Sequence, residues 1–80
     1  MNVALVKSAT LAAVGYDAER SILQLKFRSN KVYSYLGVPG WVHEALLAAP
    51  SKGKYFNSAI RGHFPHLRVP DAGIELRGEA

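Results

Sequence analysis

The stretch that most constrains this chain is a run of alternation. Leu23, Leu25 and Phe27 alternate with Gln24, Lys26 and Arg28, the period-two pattern of a strand with one buried face. Ser29-Asn30 separates it from a second run, Lys31 to Leu36. Asn tolerates positive φ, so the spacing predicts a hairpin with a two-residue loop. Such a loop fixes the register. Phe27 then opposes Val32, Leu25 opposes Ser34 and Leu23 opposes Leu36, which makes one nearly apolar face for the core. On the other face Arg28 meets Lys31, Lys26 meets Tyr33 and Gln24 meets Tyr35. Tyr33 and Tyr35 are thus expected to point away from the core among three cations. The inference depends on an even loop, because a slip of one residue exchanges the faces.

The flanking segments supply the rest of a small fold. Leu11–Tyr16 reads as an earlier strand, followed by the turn-like Asp17–Ser21. Gly37-Val38-Pro39-Gly40 breaks the hairpin's second strand and opens a helix, with Pro39 near its first position. Val42, Ala45, Leu46 and Ala49 recur at helical spacing, a stripe suited to covering the apolar sheet face. Trp41 lies at the edge of that stripe and reads as rim packing. Pro50 stops this helix and Ser51 is a suitable N-cap for a second. Tyr55, Phe56, Ala59 and Ile60 supply its buried face, and Gly62 its stop. His63 to Val69 is expected to be irregular. The predicted fold is α+β, a three-stranded antiparallel β-meander followed by two α-helices. Residues 1–70 are expected to form one domain and 71–80 a flexible tail.

Composition narrows the function. A chain of 80 residues has room for one core, burying about 60% of its unfolded surface. It holds no cysteine, so disulfides and thiolate metal sites are excluded and a cytoplasmic setting is expected. The start lacks signal-peptide character, and no apolar run approaches the roughly 20 residues needed to span a bilayer. His43, His63 and His66 have no Cys or carboxylate set to complete a metal site. Ser51-Lys-Gly-Lys is not a complete phosphate-binding P-loop. No nucleophile motif is present, so no enzyme and no cofactor are expected. Residues 1–70 carry a net +6 and the last ten −2. That basic body favours polyanionic partners.

Two features could serve such a partner. Tyr33 and Tyr35 beside Lys26, Arg28 and Lys31 suggest a stacking platform for unpaired bases, although tyrosine is also a common strand residue. At the second helix start, Lys52 and Lys54 stand where the helix dipole favours acidic groups, and Gly53 leaves the backbone open. Together they suggest a phosphate grip; exposed lysines that serve solubility are the plainer reading.

The ordered motifs resemble the KTSC domain, named after the C-terminal domain of some lysyl-tRNA synthetases and also found alone in small bacterial proteins. The matching residues are Val14-Gly-Tyr-Asp17, Leu23-Gln-Leu-Lys-Phe27, the central Tyr33-Ser-Tyr35, Val38-Pro39, Ser51-Lys-Gly-Lys-Tyr-Phe-Asn57 and Ile60-Arg61. They span about residues 8–61. Ser29-Asn30 departs from the Asn-Gly-like turn that the family tends to have. The resemblance implies a domain without an established activity, for which RNA binding has been suggested. It does not carry aminoacylation to a chain that has no synthetase body.

The expectation is therefore a non-enzymatic RNA-binding domain with no membrane partner and no evident small-molecule substrate. Lys52, Lys54 and Arg61 would hold phosphates, and Tyr33 and Tyr35 would stack on bases. The alternative is a protein-interaction module that docks on the sheet face or on an edge strand.

Overall fold

The computed structural model describes residues 2–69. Five strands form one sheet in sequential order: β1 (Asn2–Leu5), β2 (Leu11–Asp17), β3 (Ile22–Phe27), β4 (Val32–Leu36) and β5 (His66–Val69). Every neighbouring pair is antiparallel. Between β4 and β5 the chain leaves the sheet as α1 (Gly40–Ala48) and α2 (Lys52–Tyr55), and α2 runs on into a π-helical turn over Phe56–Ile60. The α+β class agrees with expectation. The three-stranded meander does not, because β1 and β5 extend it at both edges, and β5 occupies a segment expected to be irregular.

The loop at the β3–β4 hairpin also differs, and the difference turns the sheet over. It holds three residues, Arg28 to Asn30, instead of two. Phe27 N–H donates to the Lys31 carbonyl at 2.9 Å, Asn30 N–H donates to the Phe27 carbonyl at 2.9 Å, and Asn30 sits at φ 71°. A left-handed residue closing a three-residue loop matches the twist of the flanking strands. The resulting register pairs Leu23 with Tyr35, Leu25 with Tyr33 and Lys26 with Val32. Tyr33 and Tyr35 therefore share the face of Leu23 and Leu25, while Val32, Ser34 and Leu36 lie on the opposite face. This reverses the expected arrangement. It also buries more, since an aromatic ring removes about 150–250 Å² from water.

The helices cover the face that carries the tyrosines. A bulge at Ala12, where Leu11 pairs with Phe27 and Ala13 with Lys26, lets Leu11 join Val14 and Tyr16 on that face. There they pack with Leu23, Leu25 and Tyr35 against Val42 and Leu46 of α1 and against Phe56 and Ile60 of the second helical segment. Each fully buried aliphatic side chain contributes about 1.5–3 kcal/mol. Val42 and Leu46 keep the role that their spacing predicted, and Trp41 is 68% exposed at the edge of α1. Gln24, 3% exposed, lies on the opposite face, and its Nε2 donates to Ser34 Oγ at 3.1 Å.

Local polar contacts fix the ends of these elements. Ser51 caps α2 as expected, its side chain accepting from Lys54 N–H at 3.4 Å. The π turn closes when Arg61 N–H donates to the Phe56 carbonyl at 2.8 Å. His63 N–H then donates to the Ile60 carbonyl at 3.0 Å, with Arg61 extended and Gly62 at φ +80°. This is the geometry of a type II turn, which needs a glycine at its third position. No helix among the described residues is long and apolar enough to cross a membrane. The tail expected at 71–80 lies outside the described residues.

Candidate nucleic-acid interface

Where β4, β5 and the π turn meet, five aromatic rings form a closed circuit. Phe27 contacts Tyr33 at 5.9 Å between centroids, Tyr33 contacts His66 at 5.6 Å, and His66 contacts Tyr35 at 5.4 Å. Tyr35 contacts Phe56 at 5.7 Å, and Phe56 returns to Phe27 at 5.3 Å. Most of these pairs are edge-on, the favoured geometry for rings with a negative face and a positive rim. The rings line a pocket of about 360 Å³, and Arg61 and Gly62 complete its wall.

Each wall follows from a local feature. The odd hairpin loop aims Tyr33 and Tyr35 at this side of the sheet. Pairing of β4 with β5 sets His66 opposite Tyr35 and Arg68 opposite Tyr33. The type II turn delivers Arg61 and Gly62. Among the described residues no carboxylate lines the pocket, and the Tyr33 and Tyr35 hydroxyls bond to none of those residues; neither is a buried unpartnered group, so both are open to solvent. Burial raises the Tyr35 phenol above its ordinary pKa and neighbouring Tyr33 adds to the rise, while the Arg61 guanidinium partly offsets it. Arg61 thus acts electrostatically on that hydroxyl.

The remaining candidates scatter. Lys26 points to the opposite face, beside Val32. Arg28 is tied down, donating from Nε to the Ser8 carbonyl at 2.9 Å and from Nη2 to the Val6 carbonyl at 3.3 Å. The expected platform of two tyrosines with Lys26 and Arg28 therefore does not form. Lys31 is exposed at the hairpin, on the side of Tyr33 by the alternation of the strand.

At the start of α2, Lys52 Nζ donates to the Ala49 carbonyl at 3.2 Å, so its charge serves the C-terminal end of α1. This answers the oddity of a cation in that turn. Gly53 is filled from inside: a Cβ there would meet Thr10 Oγ1 at 2.5 Å and Thr10 Cβ at 3.2 Å. The backbone opened by that glycine is approached by Thr10. Lys54 is exposed.

Sequence reasoning named Tyr33, Tyr35 and Arg61 and missed Phe27, Phe56, His66 and Arg68 as their neighbours. The sequence places Phe27 and Phe56 in the core, and there Phe56 is 6% exposed while Phe27 packs half-buried against the same cluster. His66 and Arg68 fell in the segment expected to be irregular. The alternation of Leu67 and Val69 with His66 and Arg68 was the available signal, but Pro65 and Pro70 bracket it.

These features define a class: a small α+β domain whose helix-covered sheet holds an aromatic pocket with a cationic rim. The chain belongs to the KTSC domain family, whose model matches residues 7–64. It is similar to a KTSC domain protein of Yersinia pestis whose crystal structure superposes with a TM-score of 0.82 at 34% identity, covering 85% of this chain and 96% of that one. An uncharacterised protein of Stutzerimonas stutzeri is 38% identical over 65 residues, which is 80% of this chain and 92% of that protein. A lysine–tRNA ligase of a Nostoc species is 41% identical over 59 residues, 74% of this chain but 10% of the ligase.

Proposed function

We infer that this domain is a non-enzymatic nucleic-acid-binding module that acts on RNA, with the aromatic pocket at the centre of its binding surface. The observation that carries this reading is the pocket itself. Phe27, Tyr33 and His66 keep ring surface open beside the nearly buried Tyr35 and Phe56, the two phenols bond to no other described residue, and the charged groups beside them, Arg61 and Arg68, are cations. Unpaired bases bind to such surfaces by stacking, and cations meet the phosphates. Similarity to a segment of lysine–tRNA ligases favours RNA over DNA. Lys31 and Lys54, both exposed, extend the basic surface. Lys26, Arg28 and Lys52 contribute through overall charge rather than through the pocket.

Titration of labelled protein with single-stranded and structured RNA at two salt concentrations tests this reading. Binding should weaken steeply with salt, with log K falling by about 0.7 per phosphate contact on single strands per decade of salt. Absence of any shift at low salt with either RNA would sink it. A second reading, a protein-interaction module, draws on Val3, Leu5 and Leu67, which are 38%, 88% and 62% exposed on the face without helices. It requires a partner strand pairing along β1, and such pairing would protect the β1 amides from exchange.

A further inference from the structure

We propose that the pocket takes a single unstacked nucleobase, read at its edge by the Tyr33 and Tyr35 hydroxyls, with the adjoining phosphate held by Arg61. This deepens the RNA-binding reading and rests on it. A flat sheet platform lays several bases side by side, whereas this site is a half-open hollow lined by the part-open rings of Phe27, Tyr33 and His66 and by the nearly buried Tyr35 and Phe56. Its volume, about 360 Å³, falls at the small end of ligand pockets, which suits one nucleotide better than a base pair.

Charge narrows the ligand further. Aromatic cages also capture quaternary ammonium groups, because ring faces attract cations. Here the charged group in the lining is Arg61, Arg68 stands nearby in register with Tyr33, and no carboxylate is among the described lining residues. A cationic ligand is repelled and a flat ligand bearing an anion is favoured. The phenols, open to solvent and bonded to no other described residue, add the means of reading it. Each hydroxyl both donates and accepts, so the pair matches the mixed donor and acceptor edge of a base. The contrast with Tyr16 is direct, since its hydroxyl is already committed to the Val38 carbonyl at 2.6 Å. His66 is the exposed ring of the circuit and lies 34° from the plane of Tyr35. It is the wall best placed to close over an inserted base.

The test uses the full chain and amide shift mapping at low salt. The probes are the four ribonucleoside 5′-monophosphates, ribose 5-phosphate, a short single-stranded RNA, and the same strand with one abasic position. At least one monophosphate should shift Tyr33, Tyr35, Arg61, Gly62 and His66, while ribose 5-phosphate should not. The abasic strand should bind about tenfold more weakly when the gap falls at the inserted base. Tyr35→Phe should weaken the monophosphate and leave ribose 5-phosphate unchanged. Equal shifts from ribose 5-phosphate and every monophosphate would mark a phosphate-only site and overturn the proposal. RNA binding that leaves the pocket amides unmoved would overturn it too, with the broader RNA reading intact. If neither RNA nor mononucleotide binds, both readings fall.

Discussion

Tyr16 and Tyr35 of the sheet each pack against a histidine, and the two pairs have opposite fates. Tyr16 and His43 stack at 4.7 Å and 14°, and the Tyr16 hydroxyl donates to the Val38 carbonyl at 2.6 Å. Tyr35 and His66 meet at 5.4 Å and 34°, and the Tyr35 hydroxyl bonds to no other described residue and is not sealed from solvent. Both tyrosines are nearly buried, at 8% and 5% exposure. Burial alone therefore does not separate the two rings; the surroundings of the hydroxyl do. At the first pair, α1 supplies His43 and its N-terminal approach supplies the carbonyl. At the second the histidine comes from an exposed edge strand, and the helical segment supplies a cation instead of an acceptor.

The largest expected effect breaks the closed pair. Tyr16→Ala should cost about 3–5 kcal/mol in urea unfolding, as removal of a buried ring does, whereas His66→Ala should stay within about 0.5 kcal/mol. A comparable loss from both would erase the distinction. Next comes Gly53→Ala, which tests whether the start of α2 is a packing contact. Overpacking against Thr10 should cost about 1–3 kcal/mol, and pairing it with Thr10→Ala should recover much of that in a double-mutant cycle.

Deleting single hydroxyls sharpens the contrast. Tyr16→Phe should cost about 1–2 kcal/mol, because the buried Val38 carbonyl loses its donor, while Tyr33→Phe and Tyr35→Phe should change stability by less than about 0.5 kcal/mol.

The smallest effect is with pH. Burial lowers the His43 pKa below its ordinary 6.5, with Glu44 opposing in part. As pH falls, the unfolded chain takes up that proton first, so this contribution is complete above about 6.5 and declines below it. His43→Gln should flatten the acid side of a stability–pH curve measured by thermal unfolding.

Much of the fold was legible. The alternation at Leu23, Leu25 and Phe27, the stripe of Val42 and Leu46, the Ser51 cap and the Gly62 stop all encode local geometry in residue type. The two edge strands were not, because β1 and β5 are four residues each and largely exposed, so burial leaves little pattern in them. The register failed for a narrower reason. Asn30 does take positive φ, but it does so as the third residue of the loop, and one residue of length reverses every side chain in β4. Weighing the faces would have exposed the error, since two tyrosines offer far more apolar area to a core than Ser34 does. For the site, Tyr33, Tyr35 and Arg61 were visible as residues, but their convergence with Phe27, Phe56 and His66 depends on β4 and β5 pairing across the intervening helices.

That long-range pairing has a dynamic consequence. β5 is a short edge strand of largely exposed side chains, separated from β4 along the chain by both helices, so it has few buried contacts holding it. Strands of that kind open locally without global unfolding, and their amides exchange with solvent faster than those of central strands. One wall of the pocket, His66, rides on that strand. Ligand occupancy should therefore register first as slowed hydrogen exchange along β5, a local gain in protection that a measurement of global stability would miss.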